Sequence, residues 1–179
     1  MAFGCSVVTA QEVRALWVVR TTLTSPEKIR QLVQSAADNG FNTLIVQIRG
    51  RGDAYYNSRV EPRAMELKDQ PASFDPLELT LAEAHKRGLK VHGWINTNLL
   101  ANLDALPSDP EHVYNKHPEW LAVPKPVAAE LYNVSPRDPV FRQKIVEWSK
   151  ANRGSWKAFT PGRRIRKFAI TSTTSGWTY

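Results

Sequence analysis

Apolar residues along the first hundred positions fall into two patterns, short continuous runs and spaced stripes. "ALWVVR" (15–20) and "TLIVQIR" (43–49) are rich in β-branched and aromatic residues and apolar on both faces. That pattern predicts strands buried in a parallel sheet. Between them Ile29, Leu32, Val33, Ala36 and Ala37 recur at helical spacing, with Ser25 as cap, Pro26 in the first turn and Gly40 in the left-handed closing position. Asp75, Pro76 and Glu78 predict a capping box for a second helix, carried by Leu77, Leu81 and Ala84 to Gly88. A third strand is predicted from Lys90 to about Asn96. A third helix opens at Asp138 and Pro139 and buries Phe141, Ile145 and Trp148. The order is β-α-β-α-β-α, with short returns after helices and long excursions after the second and third strands. Right-handed repetition of this unit builds an open doubly wound sheet or a barrel, and in both the working residues lie at the carboxyl ends of the strands.

The pattern stops at residue 151. Residues 151–179 carry no helical stripe, and "FAI" is their only strand-like run. They also hold Arg153, Lys157, Arg163, Arg164, Arg166 and Lys167 with no acidic residue, so the net charge of +7 is concentrated there. Residues 1–150 carry 18 basic against 17 acidic side chains and contain no basic helix or base-stacking motif, which argues against nucleic acid as a partner. Cys5 is the only cysteine, which excludes an internal disulfide and a cysteine-based metal cluster. Residues 1–11 begin with the small, apolar "MAFGCSVVTA", which reads either as the remnant of an export signal or as a frayed terminus. Export would place the chain in the cell envelope, periplasm or extracellular space. No apolar run reaches the roughly 18 residues of a membrane-spanning helix. The expected organisation is therefore a terminal segment 1–11, one α/β domain 12–150 and an atypical basic tail 151–179.

The densest chemistry lies in "VQIRGRGDAYYNS" (46–58), where the second strand ends. Arg51-Gly52-Asp53 as an adhesion tripeptide is too short a match to be informative. Gly50-x-Gly52 as a phosphate cradle lacks the third glycine and the immediate helix that such a loop needs. Two readings stay open. Gln47, Arg49, Arg51 and Asp53, with the rings of Tyr55 and Tyr56, line a sugar site; or Arg49 or Arg51 pairs with Asp53 to pin a loop. Arg20 closes the first strand, and His92, Trp94 and Asn96 alternate along the third, so polar groups recur at one end of three strands. His92, His112 and His117 lack the spacing of a metal site.

These residues resemble a family. "RALWVVR", "GFNTLIVQIRGRGDAYYNSRVEPRA", "FDPLELTLAEAHKRGLKVHGWINTNL" and "PSDPEHVYNKHPEWL" are similar to consecutive segments of the bacterial glycosyl-hydrolase-like family ten, from about Glu12 to Asp138. The resemblance implies a (β/α)8 (TIM) barrel, here as a partial barrel of three to four βα units, with exported members, glycosidase activity on bacterial cell-wall glycan and no cofactor. On this match Arg20, Gln47, Arg49, Arg51, Tyr56, His92, Trp94 and Asn96 bind substrate. Asp53 is the one catalytic candidate, and Trp120 is either an aromatic platform or a loop anchor.

The family continues with a strand resembling Asp-Gly-Ile-His-Phe-Asp-Tyr-Ile-Arg-Tyr, whose aspartate is its leading catalytic candidate. This sequence has no such run. However, "ITSTTSG" (170–176), back-translated and read two bases out of frame, permits His-Leu-Asp-Tyr-Ile-Arg. The expectation is a frameshift between about Trp148 and Ile170; an intact coding frame without that overlap refutes it. Glycoside hydrolysis needs two carboxyl groups about 5–9.5 Å apart. Beyond Asp53 the sequence offers only the loop residues Glu61, Asp104 and Glu119. An active glycosidase, a non-catalytic carbohydrate-binding module and a nonfunctional truncated product therefore remain alternatives.

Overall fold

The computed structural model describes residues 12–152. The export-signal reading of residues 1–11, and the basic tail with its out-of-frame match, lie outside them. The main elements are β1 (Ala15–Val18), α1 (Pro26–Asp38), β2 (Thr43–Arg49), α2 (Pro76–Lys86), β3 (Lys90–Ile95), α3 (Val113–Lys116) and α4 (Pro139–Ala151). The strands form one sheet in the order β1-β2-β3. β1 and β2 run parallel, with Trp17 opposite Ile45 and Val18 opposite Val46. Lys90 N–H bonds to Asn42 C=O and Asn96 N–H to Arg49 C=O, so β3 ascends in the same direction. This is an α/β, partial-barrel arrangement of parallel strands and crossover helices.

The helix ends follow from the capping chemistry. The Ser25 hydroxyl accepts from Lys28 N–H, and Gly40 closes α1 at φ +75°. Asp75 does two jobs: Oδ1 accepts from Leu77 and Glu78 N–H at 2.9 and 3.0 Å, and Oδ2 holds Asn57 N–H at 2.8 Å. Asp138 caps α4 through Val140 N–H at 2.9 Å. Trp148, expected to be buried, is half-buried against the apolar cluster it joins. One strand end differs from expectation. β1 stops at Val18, and Arg20 opens a short 3-10 turn, Arg20–Leu23. Thr22 anchors this turn through its N–H and hydroxyl on Val19 C=O, and Leu23 becomes fully buried. Burying one such aliphatic side chain contributes about 1.5–3 kcal/mol, enough to divert a chain from extension.

The described chain divides into two compact units. The first comprises residues up to Ile48 with Tyr55–Asn57 and Ala64–Ile95. Its core is one face of the sheet under α1 and α2: Val18, Leu44 and Val46 meet Ile29, Val33, Ala36 and Ala84. The second comprises Arg49–Ala54, Ser58–Arg63 and the chain from Asn96. It contains most of the Pro-rich excursion that the sequence marks as a long loop. There α3 and the 3-10 turns Pro118–Trp120 and Lys125–Val127 bury Leu100, Tyr114, Leu121, Val127 and Leu131 with Phe141 and Ile145 of α4.

Candidate functional site

In the first unit, the sheet face turned away from α1 and α2 is set by strand parity. Leu16 and Val18, Leu44, Val46 and Ile48, and Val91 join the helix-side core, so Trp17, Val19, Ile45, Gln47, His92 and Trp94 share the other face. Trp17 is 62% exposed and Val19 50% exposed there, a costly display for large apolar side chains. Trp17 meets Trp94 edge to face, with ring centroids 5.0 Å apart and planes at 88°. This geometry aims the positive edge of one indole at the negative face of the other. His92 is exposed beside them on β3.

Gln47 is buried on the same face, and its Oε1 accepts from Arg20 N–H at 3.4 Å and Arg20 Nη1 at 3.3 Å. Both contacts are long for N–H···O bonds. Arg20 Nε is buried with no hydrogen-bond partner among the described residues. The structure thus brings Arg20 to Gln47 and Trp94 to Trp17. Trp17 was not singled out by the sequence, because a run apolar on both faces does not reveal which face lacks cover. Tyr56 is half-buried. Its neighbour Tyr55 is fully buried in the core, so the Tyr55 ring is packing and not a sugar-facing surface.

In the second unit, the glycine-arginine loop is held by internal bonds. Arg49 Nε donates to both Glu61 oxygens at 2.7 and 2.8 Å, and Nη2 reaches Oε1 at 2.5 Å, with both side chains about 15% exposed (14% and 15%). Arg49 Nη1 also donates to the carbonyls of Asn96 and Thr97. Asn96 returns its side-chain N–H to Gly50 C=O at 3.3 Å. Loop pinning by arginine therefore occurs, but the partner is Glu61 rather than Asp53. Asp53 turns its Oδ1 onto Arg51 N–H at 2.6 Å, a bond within the loop itself.

His112 completes this loop. Its Nδ1 accepts from Tyr114 N–H at 3.1 Å, which leaves the ring proton on Nε2 to donate to Arg51 C=O at 2.8 Å. Gly52 sits under that ring at φ +76°, and a Cβ there would fall 2.9 Å from His112 Cε1 and 3.0 Å from Val113 Cγ1. The glycine is required twice, by its backbone and by the imidazole above it. Since Gly52 is buried, the tripeptide Arg51-Gly52-Asp53 is no exposed adhesion loop. Arg51 Nε is buried without a hydrogen-bond partner among the described residues. The sequence carried no signal for His112, which lies 61 residues from Arg51.

Glu119 and Tyr114 are among the groups of this unit whose titration is shifted. Partial desolvation pushes the Glu119 carboxyl up, but the His117 and backbone hydrogen bonds, with the His117 and Arg137 charges, hold it below its ordinary value. Burial pushes the Tyr114 phenol up against the opposing pull of Arg142, whose guanidinium carbon lies 5.6 Å from the Tyr114 ring centroid. Among the described residues, no group of His, Cys, Asp and Glu is arranged to hold a metal ion. None of their helices is long and apolar enough to cross a membrane.

Comparison with known proteins identifies the family. Over 139 residues the chain is 29% identical to the glycosyl hydrolase YngK of Bacillus subtilis, covering 67% of this chain and 27% of that protein. Over 96 residues it is 32% identical to the glycosyl hydrolase DigH of Escherichia coli K12, covering 46% of this chain and 22% of that protein. The matched segment thus spans about a quarter of those relatives' length. The model of the family described as glycosyl hydrolase-like 10 matches residues 12–150, which is nearly all of the described fold, and on that match the chain belongs to the glycosyl hydrolase-like 10 family.

Proposed function

We propose that this chain recognises a glycan on the exposed sheet face of its first unit, in the service of a glycoside-hydrolase activity. The observation that carries the reading is the Trp17–Trp94 pair, an exposed indole braced edge to face on a parallel sheet. The C–H face of a pyranose complements the negative face of an aromatic ring, while its hydroxyls need donors and acceptors nearby. His92, Gln47 and the Arg20 guanidinium on that unit supply them. The substrate we infer is bacterial cell-wall glycan, which would place the chain in the cell envelope.

Cleavage requires a proton-donating carboxyl and a second one acting as nucleophile or base. Asp53 is the catalytic candidate at a strand's carboxyl end, yet its Oδ1 is taken by Arg51 N–H. Glu61 is chelated by Arg49, and Glu119 is bound to His117. These engagements favour a second reading, glycan binding without turnover by the described residues.

Calorimetry and reducing-end release with oligomers of β-1,4-linked N-acetylglucosamine separate the readings. Trp94→Ala and Trp17→Ala are each expected to weaken binding about tenfold, an aromatic contact's worth. Hydrolysis that disappears in Asp53→Asn supports the catalytic reading; binding without release supports the second. Unchanged affinity in both tryptophan variants overturns the proposal.

A further inference from the structure

The turn His117–Leu121 in the second unit carries a second aromatic arrangement, unlike the first. His117 and Trp120 stack in parallel, with centroids 3.9 Å apart and planes 7° from coplanar. His117 is itself oriented, since its Nδ1 lies 3.0 Å from Glu119 Oε1. The three side chains come from one 3-10 turn, Pro118–Trp120, with His117 as its N-cap.

The family resemblance leaves two roles for Trp120, a loop anchor or a platform, and burial separates them. An anchoring tryptophan inserts into the core. Here Pro118 is buried and Leu121 is 0% exposed, and these two residues fasten the turn. Trp120 remains 38% exposed. Its indole is backed on one side by an imidazole that a carboxylate holds in place. An aromatic ring fixed before a ligand arrives loses little rotamer freedom on binding.

We propose that Trp120, backed by His117 and flanked by Glu119, is a second carbohydrate contact, binding one pyranose ring of a glycan on its solvent-facing side. The ring's C–H groups would rest on the indole, and the Glu119 carboxylate would accept a hydroxyl hydrogen bond through the lone pairs His117 leaves open. The choice of glycan rests on the proposed function; the platform itself rests on the turn's own geometry.

The test uses the full chain labelled with 5-fluorotryptophan, the Trp120 fluorine resonance being assigned through Trp120→Phe. Hexamers of β-1,4-linked N-acetylglucosamine are titrated in. A saturable shift of the Trp120 resonance, with affinity reduced about tenfold in Trp120→Ala and retained in Trp120→Phe, is expected. His117→Ala should weaken binding less, because it removes the backing and leaves the platform. A Trp120 resonance unmoved at millimolar hexamer overturns the proposal. If Trp17 and Trp94 respond while Trp120 does not, only the second contact fails. If Trp120 responds while they do not, the contact stands and the first-unit face is the wrong reading.

Discussion

The two units reach compactness by different routes. The first is built from regular elements whose apolar residues recur with the period of a strand or a helix, so a single sheet face and two helix stripes close its core. Among its described residues the second has one long helix, one single-turn helix and short 3-10 turns. Its shape depends on individual polar contacts: Arg49 with Glu61, Asn96 with Gly50, and His112 with Arg51. Periodic burial spreads stability over many interchangeable residues. Polar locks concentrate it in a few irreplaceable ones.

The largest expected effect breaks the second unit's ion pair. Glu61→Ala should cost about 3 kcal/mol in urea denaturation, since it strands a largely buried guanidinium. Arg49→Met combined with Glu61→Leu should cost much less. A Glu61→Ala loss below about 0.5 kcal/mol would mean that the pair behaves as a surface one.

Next is a glycine comparison across the units. Gly52→Ala should cost about 2–3 kcal/mol, combining left-handed strain with the clash against His112 and Val113. Gly88→Ala in the first unit shares a positive φ, +70°, but meets nothing within 4 Å, so it should cost only about 1 kcal/mol. Equal losses at both sites would remove the imidazole from the account.

Helix caps come third. Asp75→Ala should exceed Asp138→Ala, which is expected to cost about 1 kcal/mol, because Asp75 also holds Asn57 N–H with its second oxygen. Asp75→Asn, which keeps an acceptor, should recover part of the difference.

The smallest effect is electrostatic. The folded chain holds the Glu119 carboxyl below its ordinary value of 4.5. Its stabilisation is therefore fully present above that value and is lost as pH falls through the lowered one. Glu119→Gln should flatten the acid limb of a stability-pH curve by lowering stability slightly at neutral pH and leaving it unchanged in acid. An unaltered acid limb would show that the His117 contact carries no net stabilisation.

Much of the first unit is legible in the sequence because its determinants are local. Ser25 and Asp75 cap their helices within three residues of themselves, and β2 coincides with the run "TLIVQIR". The exception, Arg20, shows the limit: "ALWVVR" satisfies strand propensity throughout, yet burial of Leu23 turns the chain after Val19. In the second unit, proline and aromatic content concealed a core, since 3-10 turns have no sustained period to detect. Glu61 was visible as a carboxylate, but its partner was not, and His112 left no trace beside Gly52.

What the sequence by itself determined is the family, the succession of parallel strands and crossover helices, and the ends of the helices, because periodicity and capping operate over a few neighbouring residues. Only the tertiary structure decided that Arg49 serves Glu61, that Gly52 accommodates His112, and that Trp94 meets an exposed Trp17 edge to face. Those choices join residues 12, 60 and 77 positions apart, and no local preference encodes which of several chemically suitable partners the packed chain brings within reach.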